Sequence, residues 1–184
     1  MELIQTGFSD LILIKPNIFE DSRGYFYESY NKQVFRKLGI DINFIQDNQS
    51  SSTHGVIRGL HYQLVPHAQS KLMRVLQGEI YDVAVDLRKG SSTYGKWYGV
   101  ELTFRNKLQL LIPYGFAHGF SVLSDKAVVL YKTDEYYKKE AERGIVYNDH
   151  ILKIDWKLIP SEIIVSERDQ HLPGFGQAEA NFII

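Results

Sequence analysis

The stretch KLMRVLQGEIYDVAVDLRKGSSTYGKWYGVELT, residues 71–103, decides the fold. Runs rich in Val, Leu, Ile and Tyr at 71–76, 80–86 and 97–103 are separated by the turn signals Gln77-Gly78 and Lys89-Gly90-Ser91-Ser92. Such residues suit a pleated, half-buried surface, and Gly between short apolar runs marks where one strand ends. The same punctuation continues outward, with further strands expected at 11–15, 44–50, 56–63, 109–112, 119–122 and 127–133 and turns at 105–107 and 113–115. One helix is expected at 32–38, capped by Asn31, turning Val34, Phe35 and Leu38 inward and stopped by Gly39. A second helical piece is expected at 161–164. Many short strands at near-regular spacing in 184 residues imply a single all-β domain, a sandwich or a barrel, with a few short peripheral helices. The pattern does not choose between those two.

Composition narrows the function. Hydrophobic residues make up 44% and charged residues 23%, the balance of a soluble globular domain. The net charge of −1 gives no field for nucleic acid or an anionic membrane. No apolar stretch approaches the roughly 18 residues of a membrane span. The start, MELIQTGFSD, has no basic segment leading into an apolar run, so no secretory signal is expected there. The absence of cysteine removes disulfides, thiolate metal sites and a Cys nucleophile, and a reducing cytoplasm fits that composition.

The candidate chemistry centres on GVIRGLHYQ, residues 55–63, where Arg58 and His61 stand in a strand-like run. Taken singly, a strand histidine is commonly structural and a strand arginine solvated. In a flat strand, positions 58 and 61 also point to opposite faces. Gly59 is where a bulge can bring both to one face, and bulges favour active sites. Lys71, Tyr131 and Asp169 have ordinary readings of their own, as snorkelling lysine, core aromatic and turn residue. In FIQDNQSSS, the polar group Gln46, Asp47 and Asn48 either reads a polar ligand or makes a turn.

The segment LLIPYGFAHGF carries P-x-G-x-x-H from Pro113 to His118 and resembles the second motif of the cupin superfamily, whose jelly rolls often hold a metal through histidines and a glutamate. Here Gln63 falls where a second histidine belongs and Lys71 where an acid is expected, a poor set for a divalent cation. Metal catalysis is therefore not expected, and no glycine pattern suggests a phosphate-binding loop.

The segments RGYFYES, FIQDNQSSS, GVIRGLHYQ, PHAQSKLMRVLQGEIYDVAVDLRKGSSTYGKW, LLIPYGFAHGFSVLS and RGIVYNDHILKIDW together closely resemble the dTDP-4-dehydrorhamnose 3,5-epimerase family, in the family's order and across residues 14–173. The resemblance implies a metal-free, cofactor-free cupin jelly roll, working as a homodimer whose N-terminal strands join the partner's sheet. It implies inversion of C3 and C5 of dTDP-4-dehydro-6-deoxy-D-glucose to give dTDP-4-dehydro-L-rhamnose. His61 matches the general base, Asp169 its orienting carboxylate, Tyr131 the general acid, and Lys71 the residue at the keto oxygen. Arg58 matches a contact to sugar and phosphate, and Tyr137 the aromatic that stacks on thymine. Arg23, Glu28, Gln46, Asp47, Asn48, His118, Glu142 and Arg168 match substrate-contacting positions, some reached from the neighbouring subunit.

The chemistry agrees. A ketone at C4 acidifies the hydrogens on C3 and C5, and inversion through an enolate needs a base on one face, an acid on the other and positive charge at the oxyanion. Imidazole takes a proton near neutral pH, and arginines suit a diphosphate. Leu64 after HYQ, the missing Trp-Pro in DWKLIP and Val165 depart from the family pattern without touching a catalytic position. An epimerase of a related dTDP-4-ketosugar that inverts only C3 or only C5 is the alternative; a metal-dependent cupin and a non-catalytic binding domain fit less well.

Overall fold

The computed structural model describes residues 1–184. In chain order its strands are β1 (Glu2–Gln5), β2 (Ile12–Lys15), β3 (Phe19–Asp21), β4 (Gly24–Phe26), β5 (Gln46–Thr53), β6 (Val56–Gln63), β7 (Lys71–Gln77), β8 (Glu79–Asp86), β9 (Trp97–Thr103), β10 (Gln109–Ile112), β11 (Phe116–Val122), β12 (Lys126–Thr133), β13 (Glu142–Gly144) and β14 (Ile164–Val165). The helices are α1 (Lys32–Lys37) and the single turn α2 (Glu167–Gln170). One sheet runs β1-β2-β10-β7-β12-β5; the other runs β13-β6-β11-β8-β9, with β14 beside β6. Two facing sheets in this crossed order form a jelly-roll sandwich, which resolves the choice left open by strand spacing. No helix is long and apolar enough to cross a membrane.

Strand alternation builds the core. Met73 and Val75 from one sheet meet Ile80, Ala84, Phe116, Phe120 and Val122 from the other in the interior. The alternate residues of β8, Tyr81, Val83 and Val85, point outward and are covered by Ile145, Leu152, Trp156 and Phe182 of the C-terminal segment. This second layer makes β8 buried along almost its whole length. On the opposite outer face α1 lays Phe35 onto Ile14, Leu72 and Leu111. Burying a side chain of that size is worth about 1.5–3 kcal/mol. Asn31 caps α1 by accepting from the Gln33 and Val34 N–H groups, and Gly39 follows its last turn with φ +87°.

Several boundaries differ from the sequence reading for one reason. β5 runs on through Ser50–Thr53 because all eight residues pair with β12, from Gln46 opposite Thr133 to Thr53 opposite Lys126. A serine run has little strand propensity, and the ladder overrides it. β11 starts earlier than expected because Phe116 already pairs with Asp86. β1 was not anticipated; it closes the free edge of β2 within the chain, from Glu2 opposite Lys15 to Gln5 opposite Ile12. The piece expected at 161–164 is a 3-10 turn at Pro160–Glu162.

Candidate active site

A cavity of about 650 Å³ opens between the sheets, lined by Asn48, Arg58, His61, Lys71, His118, Tyr131, Arg168 and Asp169 among others. A smaller lobe of about 170 Å³ shares Asn48, His61, Lys71 and Tyr131 and adds Gln46, Tyr137 and Glu142. Of the fourteen residues singled out in the sequence, eleven therefore face one space.

Gly59 is what allows Arg58 and His61 to do so. Opposite β11, His61 pairs with His118 but Arg58 pairs with Phe120, so three steps along β6 match two along β11. That is a bulge, and it rotates Arg58 onto the face of His61. Gly59 sits at φ +122°, and a Cβ there would lie 2.5 Å from the Gly119 Cα. Arg58 then reaches across the cavity, donating from Nε to Ser52 Oγ at 2.9 Å on β5 of the other sheet.

His61 Nε2 lies 2.9 Å from Asp169 Oδ1. Asp169 comes from α2, whose first turn is capped by Ser166 accepting from the Asp169 N–H at 3.1 Å. The other carboxylate oxygen accepts from Gly59 N at 3.3 Å. Burial pushes the Asp169 carboxyl up, but the His61 hydrogen bond and charge and the Gly59 N–H outweigh it and hold it below the usual range. An ionised carboxylate behind the ring orients it and stabilises its protonated form.

Facing this pair from the other sheet are Lys71 on β7 and Tyr131 on β12. Burial pulls the Lys71 ammonium down to about 8, against the opposing fields of Asp82 and Glu142. Burial pushes the Tyr131 phenol up; Arg58 opposes and Glu142 adds to this, so it keeps its proton at neutral pH. His118, 7% exposed, bonds Asp82 Oδ1 through Nε2 at 2.5 Å. At the mouth, Glu142 accepts from Tyr137 Oη at 2.7 Å and pairs with Arg168 Nη2 at 2.5 Å. Burial raises the Glu142 carboxyl, and those partners bring it below its ordinary value.

Three expected residues lie elsewhere. Asp47 is on the outer face of β5 and pairs with Lys132 Nζ at 2.8 Å, because alternation sends Gln46 and Asn48 inward and the residue between them outward. Arg23 sits on the exposed β3–β4 hairpin, held by Asp21 at 2.6 Å. Glu28 is on the following exposed segment, accepting from Asn31 Nδ2 at 2.9 Å. Ser50, Ser52 and Asp82 also belong to this region, and their signal in the sequence is parity, since each shares the inward face of its strand.

The side chains suit no metal. His61 and His118 each point Nε2 at a carboxylate of their own. Gln63, at the position of a cupin ligand, is consumed by the backbone: it donates to His67 O and Tyr136 O and accepts from Lys138 N. No three His, Asp or Glu side chains converge.

A family model described as dTDP-4-dehydrorhamnose 3,5-epimerase matches residues 5–177. A protein of that name from Shigella flexneri is 51% identical over 170 residues, covering 92% of this chain and 93% of its own. The crystal structure of dTDP-4-dehydrorhamnose 3,5-epimerase from Elizabethkingia anophelis NUHP1 superposes with a TM-score of 0.92 at 52% identity, covering 96% of this chain and 97% of that one. That of dTDP-6-deoxy-D-glucose-3,5-epimerase from Legionella pneumophila Philadelphia 1, in complex with dTDP-4-keto-L-rhamnose, gives 0.91 at 46% identity, covering 96% and 93%.

Proposed function

The chain belongs to the dTDP-4-dehydrorhamnose 3,5-epimerase family, and from that premise we propose that it inverts C3 and C5 of dTDP-4-dehydro-6-deoxy-D-glucose by proton transfer between His61 and Tyr131. The carrying observation is that these two residues stand on opposite sheets of one cavity. Facing sheets are about 10 Å apart, room for a pyranose ring presenting one face to each. His61 takes the proton from carbon, the C–H electrons move into the C–C bond, and the C4 oxygen gathers negative charge beside Lys71. Tyr131 then gives its proton to the carbon from the other side, and solvent resets both groups. Arg58 and Arg168 serve the diphosphate and Tyr137 the base, with Gln46, Asn48, His118 and Glu142 contacting the substrate. The 184 residues act as one epimerase domain, and their lack of cysteine fits work in a reducing cytoplasm.

Incubation with dTDP-4-dehydro-6-deoxy-D-glucose in D₂O, followed by proton NMR, tests the reading. Deuterium is expected at both C3 and C5 of an L-configured product, at a rate that exhaustive chelation leaves unchanged. Labelling and inversion at one carbon alone would mark a single-carbon epimerase. Loss on chelation with recovery on adding one metal would overturn the metal-free mechanism.

Lys71 predicts the alkaline limb. Its proton is lost near pH 8, so the ammonium is present below that pH and absent above it. The ratio kcat/KM is expected to fall about tenfold per pH unit above 8. A profile flat to pH 10 would remove Lys71 from the oxyanion.

A homodimer completes the proposal. Phe19 and Phe26 on the β3–β4 hairpin are 65% and 71% exposed, beside Arg23, which has no part in its own cavity. Exposed aromatics clustered on one hairpin are a contact surface. β1 ends its sheet with an open outer edge, where the N-terminal strands are proposed to join the partner's sheet, and the adjoining hairpin is free to cross and bring Arg23 to that partner's site. Light scattering should give twice the 21.3 kDa chain mass. A fully active monomer would exclude a shared site.

A further inference from the structure

Asp82 has no part in the proton transfers above, yet its position is unusual. In EIYDVAVD it shares the inward face of β8 with Ile80 and Ala84, both fully buried core residues. It is itself 0% exposed. Oδ1 accepts from His118 Nε2, while Oδ2 is the one buried side-chain polar atom in the molecule without a hydrogen-bond partner. An unpaired buried carboxylate oxygen costs stability, and an apolar residue there would cost less. Its packing therefore does not account for it.

Lys71 and His118, on the inner walls of the cavity, both lie in its field. The titratable and charged groups around Lys71 are Asp82 from β8, His118 from β11, His61 and Arg58 from β6, Tyr131 from β12 and Glu142 from β13. For Lys71, burial favours the neutral amine and Asp82 is the larger of the two anionic influences opposing it. For His118 the same balance holds: burial lowers it, and Asp82 is the foremost influence in the other direction. Glu142 is already engaged by Tyr137 and Arg168. Asp82 is left with one oxygen free of any partner.

We infer that Asp82 is a positioning residue for the epimerisation: it fixes the His118 ring through Nε2 and supplies the buried negative charge that stands behind the Lys71 ammonium where the enolate oxygen forms. The residue touches no substrate and acts through these two. This inference rests on Lys71 being the group at the oxyanion.

The test uses Asp82→Asn, which keeps the shape and an acceptor for His118, and Asp82→Leu, which replaces the charge with core packing. Both are expected to bind dTDP within twofold of wild type, to lose on the order of tenfold or more in kcat, and to move the alkaline limb of kcat/KM below pH 8. A merely structural residue would lower thermal stability without moving that limb. Unchanged kcat, an unmoved limb in folded protein, or failure of both variants to fold would each overturn the inference. Lys71→Met separates the two levels. If it stays active, the reading of Lys71 fails; if it is inactive while the Asp82 variants behave as wild type, the Asp82 inference alone fails.

Discussion

His61→Asn abolishes deuterium wash-in at both C3 and C5 while dTDP binding survives. Removing a general base costs typically 10²–10⁴-fold, and a loss beyond about 10³, or about 4 kcal/mol of barrier, is expected because nothing else can take over. The Asp169 carboxylate stands behind the ring, 6% exposed, and is separated from the sugar by the ring it orients. His118 lines the same cavity, but its Nε2 is committed to Asp82. The cavity itself should remain: asparagine is smaller, and Asp169 keeps its bond from Gly59 N and its place on the capped α2 turn. The measurement is time-resolved proton NMR in D₂O at both carbons, with dTDP affinity measured alongside. Exchange near the wild-type rate at either carbon would show that another group removes that proton.

How much of this was legible in the residues depended on what kind of physics carried it. Strands rich in apolar and aromatic residues and bounded by turn signals, such as β6, β9 and β10, could be delimited to the residue. The polar half of β5 could not, since its order comes from the β12 ladder rather than from its serines. Nor could the β3–β4 hairpin, exposed at every position and so without a buried face to write a pattern. At the site, the bulge was readable as a possibility at Gly59, but only the offset pairing with β11 turns Arg58 onto the face of His61.

Parity also explains what was misjudged or missed there. Gln46, Asp47 and Asn48 looked like one polar group, yet a strand must send the middle residue away from its neighbours, and Asp47 meets Lys132 on the outside. The converse case is Asp82. A charged residue on the apolar inward parity of β8 was a visible anomaly, though what it faces depends on β7 and β11 converging from two different sheets. The links from His61 to Asp169 and from Arg168 to Glu142 span long stretches of chain, and periodicity carries no information about them. Those roles came from family resemblance, and the geometry is compatible with them.

Tyr131→Phe should separate the two halves of the reaction. The substitution removes one oxygen and leaves the ring that packs against the sandwich core, so folding and binding are expected to be retained. His61, Asp169 and Lys71 are untouched, and the enolate can still form and be returned its proton from the His61 face. Solvent deuterium should therefore continue to enter at C3, the less hindered of the two carbons beside the ketone, in substrate that keeps its original configuration. Inversion is a different matter, because it needs a proton from the opposite sheet. On that wall Asn48 and Ser50 are too weakly acidic to protonate carbon, and Lys71 is occupied with the enolate oxygen. Net epimerisation should fall on the order of 10²-fold or more, most completely at C5. The informative quantity is the ratio of exchange to inversion at each carbon, followed in one NMR time course. If exchange and inversion fall together at both carbons, Tyr131 acts before the enolate forms. If both carbons invert at the wild-type rate, the acid is another group.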